Sequence, residues 1–392
     1  MTTIPFWRRK KIRRQVLQGA FLAAIAAILI IGATTAQRNL SAQGISSGFG
    51  FLWRATGWEM GTSLLRTSPG DPYWWFIFNG ILNTLLMGFV GLFCATLLGL
   101  VIGLARSSKN APARLLGTIY IEIFRNIPLI VQLFFWYAVV TQLPNPRNAI
   151  QIGHVMLTGR GLHFPGLNVT VLSAVVAIAI MIAALFVILW IAVARRFGRV
   201  ESARRRLLGL GVLVTGILGA AVALSWGRIP ETPLVSLPEL RGLNIRGGFQ
   251  LRPEIYALAF AITVYGAAYI GEIVRGGFKS VGRGQVEAAQ ALGLSPWRVF
   301  SRVRMPLAVR AMLPILINQY VWLIKATTLG IAVGFSDFFM VIAGSITHSG
   351  QTLELIGILM AGFLIINFSL AAVLNRVNRA IALKGKQIGV AQ

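Results

Sequence analysis

Long apolar runs alternate with polar, turn-rich stretches along almost the whole chain. Eight such runs lie near residues 16–36, 77–105, 115–140, 170–194, 207–226, 254–273, 308–331 and 353–375. Each spans roughly 20–29 residues, enough for an α-helix to cross a hydrocarbon core about 30 Å thick. A backbone surrounded by lipid must pair its own N–H and C=O groups, so the pattern predicts helices in these runs. Small residues such as Gly88, Gly91, Gly99 and Gly103 let membrane helices approach closely. The stretches Ser41 to Asp71, Leu143-Pro144-Asn145-Pro146 and Pro230 to Arg252 hold Pro, Gly and Asn, which favour turns. Within the last of these, Leu237 to Gly248 reads as a short amphipathic or extended segment.

Composition agrees with the pattern. Apolar residues make up 56% of the 392 residues and charged residues 12%, about half the charged share of a soluble domain. This is the composition of an integral membrane protein. The net charge of +26 is compatible with nucleic-acid binding, but the distribution of the charge favours a membrane topology. With the N-terminus inside, 26 of the 37 Lys and Arg residues fall in inside segments and 9 in outside segments. Arg125 and Lys325 lie within apolar runs. Positive charge concentrates on the cytoplasmic side of membrane proteins, which places both termini there. Arg8, Arg9, Lys10, Lys11, Arg13 and Arg14 ahead of the first run resemble a secretory leader, yet the run is long enough to span. The reading adopted is an uncleaved first helix.

Candidate chemistry is sparse. Cys94 is the one cysteine, so no internal disulfide can form. His154, His163 and His348 are isolated, and no metal-ligand spacing occurs. No Walker A glycine loop is present, and no nucleophile–base–acid set stands out. The expectation is that the chain is not an enzyme, holds no cofactor or metal, and takes its energy from another subunit or an ion gradient.

The segment 271–306 is the most informative. It is basic and polar between two apolar runs, and so reads as a cytoplasmic loop. Glu287-Ala288-Ala289-Gln290-Ala291-Leu292 is a strong helix former. Gly293 suits a helix end, and Ser295-Pro296 suits the start of another. Two short helices at an angle follow. Glu287-Ala288-Ala289, then Gly293, then Val303-x-Met305-Pro306 resembles the EAA loop of permease subunits in binding-protein-dependent ABC importers. The family usually has Ile and Leu where this chain has Val303 and Met305. The resemblance implies that Gln285, Glu287, Ala288, Ala289, Gly293 and Pro306 belong to a loop that docks on an ATPase subunit.

Further stretches resemble the polar amino acid permeases of that family. Tyr120, Glu122, Arg125, Pro128 and Gln132 match a Tyr-x-Glu-x-Phe-Arg-x-x-Pro-Leu-x-x-Gln signature. Asn126-Ile127 departs from its usual Gly-Thr. Gly80 with Thr84-Leu85 resembles the family's helix entry, and Lys325-Ala326-Thr327-Thr328-Leu329 resembles a Lys-x-Thr-Ser-Leu stretch. Glu122 and Arg125 are three apart on one helical face, as are Glu272 and Arg275, so each pair is expected to form a structural or gating ion pair. Pro128 is expected to kink its helix. An ammonium inside a span needs a cavity, a partner or the interface. Lys325 is therefore a candidate for the substrate path, with Gln132, Thr327, Thr328 and Asp337, or else a partner of Glu272.

The expected fold is an all-α integral membrane protein of about eight transmembrane helices. The resemblance makes it the type I ABC importer permease fold with both termini cytoplasmic. Residues 1–76 are read as an N-terminal helix and periplasmic loop. Residues 77–392 are read as the transmembrane domain, with a helix pair inserted near 141–252 and the coupling loop at 275–306. The long layout is similar to permease subunits of general L-amino acid transporters in the bacterial inner membrane. The implied partners are ABC ATPase subunits that bind ATP, a second permease, a periplasmic amino-acid-binding protein, an L-amino acid and membrane lipid, with no nucleic acid. The alternative is an ion-coupled secondary transporter acting without an ATPase, which would need buried acidic residues for coupling.

Overall fold

The computed structural model describes residues 10–42, 48–193, 202–229 and 232–381. Arg8, Arg9 and the tail after residue 381 lie outside them, as do Arg195, Arg196 and Arg199 of the expected inner loop. In chain order the helices are α1 (Lys10–Ala42), α2 (Tyr73–Arg106), α3 (Ala111–Asn126), α4 (Leu129–Thr141), α5 (Val171–Val193) and α6 (Ser202–Trp226). These are followed by α7 (Pro253–Lys279), α8 (Arg283–Ala291), α9 (Pro296–Val299), α10 (Met305–Ala326), α11 (Phe338–Ser349) and α12 (Thr352–Ile381).

Every predicted span is helical over most of its length. Among the described residues, six helices are long and apolar enough to cross a membrane, and seven segments qualify if α3 and α4 count as one bent span. The expected span 115–140 is not one rod, because α3 and α4 meet at 101°. Pro128 lacks an N–H, and the residue before a proline is driven from helical geometry. Ile127 accordingly adopts φ −93° and ψ 122°. The expected span 170–194 is α5, whose described apolar stretch, Val176–Ile188, is shorter than a full crossing.

Contacts divide the chain into two units. One combines the described residues up to Leu82 with Ser336–Ser369. Its core gathers Phe51, Tyr73, Phe76, Phe338, Val341, Ile342 and Leu355. The apolar side chains described on α1, such as Leu17, Phe21 and Ile28, remain exposed, as lipid-facing positions should be.

The other unit holds the described residues from Asn83 to Phe335 and from Leu370 onward. Its centre is α7, packed by α3, α4 and α10, with its buried positions spread from Ala257 to Phe278. At Gly103 of α2 the backbones approach so closely that an added Cβ would stand 2.7 Å from the Gly271 carbonyl oxygen and 2.6 Å from Val274 Cβ. Helices α5 and α6 pack on each other.

The stretches flanking that helix pair are not simple turns. Strands β1 (Ile150–Ile152), β2 (Val155–Thr158), β3 (Gly161–Phe164) and β8 (Phe249–Leu251) form one antiparallel sheet in that order. Strands β4 (Gly166–Leu167) and β5 (Val235–Ser236) pair, as do β6 (Glu239–Arg241) and β7 (Asn244–Arg246). The segment expected to be amphipathic or extended is thus a hairpin. The α5–α6 pair rises from a small β platform closed by Leu162 opposite Leu251.

Candidate functional site

The loop between α7 and α10 folds as two short helices. In α8 the last turn closes with Gly293 N–H donating to Gln290 O (2.9 Å) and Leu294 N–H to Ala289 O (3.3 Å). This is the Schellman arrangement, and it needs a left-handed residue just past the helix. Gly293 supplies it at φ +72°. Ser295 then precedes Pro296 at the head of α9 in extended geometry, without a side-chain cap.

The two helices bury little of themselves. Ala289 and Val299 are buried, while Gln285, Glu287 and Ala288 are exposed. Leu292 is 81% and Trp297 72% exposed, large apolar surfaces on a polar loop. The base is firmer. A π-helical turn, Phe300–Arg304, leads into α10, where Pro306 lies in the first turn. The Phe300 ring stacks on Phe278 of α7 at 5.8 Å, and the Arg304 guanidinium covers the same ring.

One turn before Phe278 lies a charge cluster. Glu272 accepts from Arg275, with Nε to Oε2 at 3.0 Å, and also from Arg106 at the end of α2. Arg106 also reaches Glu122 of α3 at 3.4 Å. The expected Glu122–Arg125 pair is therefore corrected. Glu122 turns to Arg106, and the Arg125 guanidinium lies 5.2 Å from the centroid of the Tyr269 ring. A cation over an aromatic face gains comparable attraction without immobilising a carboxylate. Arg106 was missed because its partners come from two other helices.

The substrate-path candidates separate. Gln132 is buried, and its Nε2 donates to the Phe124 and Ile127 carbonyls at the α3–α4 break, 2.9 Å each. Thr327 is buried and its hydroxyl donates back to Ile324 O. Asp337 is buried at the head of α11, where Oδ1 accepts from Met340 N–H at 2.8 Å. Burial pushes its carboxyl up to about 7. These three side chains sit within the packing and hold backbone, which differs from the lining role expected of them. Thr328 is partly exposed and donates to Lys325 O. The Lys325 side chain is exposed, and Glu272 is engaged by arginines instead. Among the described residues, no group of three or more His, Cys, Asp or Glu side chains could hold a metal.

Residues 247–383 match the family model for the binding-protein-dependent transport system inner membrane component. Over 385 residues the chain is 38% identical to the putative amino-acid ABC transporter permease protein YhdX of Escherichia coli K12, covering 92% of this chain and 93% of that one. The chain belongs to the amino-acid ABC transporter permeases. It is also 36% identical over 358 residues to the general L-amino acid transport system permease protein AapQ of Rhizobium johnstonii, covering 88% and 86% of the two chains. With the glutamate/glutamine/aspartate/asparagine transport system permease protein BztB of Rhodobacter capsulatus it shares 30% over 406 residues, covering 93% and 91%. This permease is thus a multi-pass helical membrane protein and a transporter subunit. The family match covers the loop bearing α8 and α9.

Proposed function

We propose that this chain is one permease half of an ATP-driven importer of L-amino acids in the bacterial inner membrane. In this reading two ATPase subunits bind and hydrolyse ATP, and a second permease completes the path. A periplasmic amino-acid-binding protein delivers the substrate. The observation that carries the reading is the exposed helix pair α8–α9 on the loop between two spans, with Leu292 and Trp297 uncovered and its base stacked on α7. Exposed apolar side chains rimmed by polar ones are what a groove on a partner protein takes up. Gln285, Glu287, Ala288 and Ala289 form the docking helix, Gly293 sets the bend, and Pro306 starts the helix that returns to the membrane.

Alternating access follows from that layout. Closure of the ATPase pair on ATP displaces α8, and α7 and α10 carry the displacement into the spans. Lys325 is the residue proposed to meet a substrate carboxylate, with Thr328 one turn on; it is exposed, and Glu272 is already held by Arg106 and Arg275.

The test is Glu287→Arg. The variant should reach the membrane in normal amount, fail to retain the ATPase subunit on purification, and lose ATP-dependent amino acid uptake. Undiminished uptake would remove α8 from the coupling role. Uptake that persists without ATP and collapses with a proton ionophore would point to a secondary transporter.

A further inference from the structure

We infer that Arg106 is the positioning residue that ties the coupling loop to the broken span α3–α4. A continuous line of contacts joins the two. Phe300, at the end of the α8–α9 pair, stacks on Phe278 of α7. One turn away, Arg275 and Arg106 both donate to Glu272. Arg106 also reaches Glu122 on α3. One turn further along α3, Arg125 rests on the Tyr269 ring, back on α7. The break at Pro128 follows immediately.

Arg106 is the one side chain in this line that touches both carboxylates from a third helix. Its guanidinium presents several donors in a rigid fork, which lets a single group serve two carboxylates at once. Its side chain is 16% exposed, against 58% for Glu122 and 27% for Glu272. The cation is therefore the sheltered member of the cluster, with the carboxylates around it. Its place is also rigid. It ends α2 just past Gly103, where α2 and α7 meet backbone to backbone. Packed elements with no free volume pass on displacement rather than absorb it. Arg106 thus makes α2, α3 and the end of α7 move together when α8 is pushed, and α4 pivots at the break. Without Arg106, α7 and α3 keep the Arg125–Tyr269 contact but lose the charged bridge.

This inference rests on the importer reading, so the experiment has two independent readouts. The first is the ATP hydrolysed per amino acid imported by the transporter reconstituted in vesicles with its binding protein. In Arg106→Gln the assembled complex and its hydrolysis should persist while uptake falls tenfold or more, so that the ratio rises. Arg106→Lys, which keeps the charge but not the fork, should lie between. Glu122→Gln added to Arg106→Gln should change nothing further. The second readout is the distance distribution between spin labels at Leu115→Cys in α3 and Gln290→Cys in α8, in the assembled complex with Cys94→Ser. It should be narrow with Arg106 and broad in Arg106→Gln. A wild-type complex without ATP-driven uptake would defeat the importer reading, and the spin-label distances would still decide the role of Arg106. An unchanged distribution in Arg106→Gln would overturn the inference, as would parallel loss of uptake, hydrolysis and assembly.

Discussion

Gln132 Nε2 lies 2.9 Å from the carbonyl oxygen of Phe124, two turns back across the break at Pro128. In an unbroken helix that carbonyl would accept from residue 128, which here is a proline with no N–H. The same amide also serves the Ile127 carbonyl at 2.9 Å. One glutamine therefore replaces the donor that the proline lacks and also serves the Ile127 carbonyl, whose helical donor Val131 N–H turns to Pro128 O, so the 101° bend costs no unpaired backbone at these positions.

Gln132→Leu keeps the size of the side chain and removes both donors. An acceptor left without its partner costs about 1–3 kcal/mol, offset in part by loss of the buried Gln132 Oε1, which has no partner. The variant should unfold at lower temperature than the wild type in detergent, with expression and membrane insertion retained. Equal thermal stability would show that the two carbonyls find other donors and that Gln132 is not the staple of the break.

Gly293 closes α8 in left-handed geometry with open space around it. The penalty of a larger residue there is conformational, about 1–2 kcal/mol for an ordinary L-residue. Gly293→Asn, which tolerates that region, should keep ATPase binding and uptake. Gly293→Val should lose both, because a β-branched side chain is driven toward extended geometry and the angle between α8 and α9 opens. Co-purification of the ATPase subunit with each variant measures this. Equal retention by both would show that the angle is set by the partner and not by the chain.

How legible each element was depended on the sequence distance between interacting residues. The spans were legible because the bilayer fixes their length, and the α8–α9 pair because helix former, Gly293 and Ser295-Pro296 are neighbours. The partner of Glu122 was not. Helical spacing points to Arg125, whereas the structure brings Arg106 from α2, across a turn and onto a second carboxylate on α7. The β platform was equally hidden, since β3 pairs with β8 on the far side of α5 and α6. Its strands are two to four residues long, too short for alternation to separate them from loop. Gln132 was visible as a polar residue in an apolar run, but its pairing with the carbonyls of the break requires the bend.

Gly103→Ala tests the close approach beneath Arg106. The added methyl would stand under 3 Å from the Gly271 carbonyl oxygen and Val274. Backbone cannot yield as a flexible side chain does, and overpacking of this kind costs about 1–3 kcal/mol. Gly103→Ala should lower the unfolding temperature, and Gly103→Leu should leave little assembled complex. Val274→Gly combined with Gly103→Ala should recover part of the packing loss, because it removes the Val274 Cβ, one of the two obstructions. No recovery would mean that the Gly271 backbone alone sets the limit.

Asp337 gives a pH dependence whose sign follows from its burial. Its carboxyl is fully enclosed at the head of α11, with Oδ1 on Met340 N–H and Oδ2 buried without a partner. Removal from water outweighs the N–H donors and raises its pKa from 3.8 to about 7. Between these values the folded protein binds more protons at this site than the unfolded chain. The contribution of the group to stability therefore falls as pH rises through that window, and is lowest above pH 7. Asp337→Asn keeps an oxygen that can accept from Met340 N–H and removes the ionisation. The wild type should lose unfolding temperature between about pH 4 and pH 7 relative to Asp337→Asn, and the two should converge below pH 4. Asp337→Ala, which loses the cap, should be destabilised by about 1 kcal/mol at low pH as well. Parallel curves for the wild type and Asp337→Asn across the whole range would show that Asp337 stays ionised in the folded protein, its charge balanced by the N–H groups of α11.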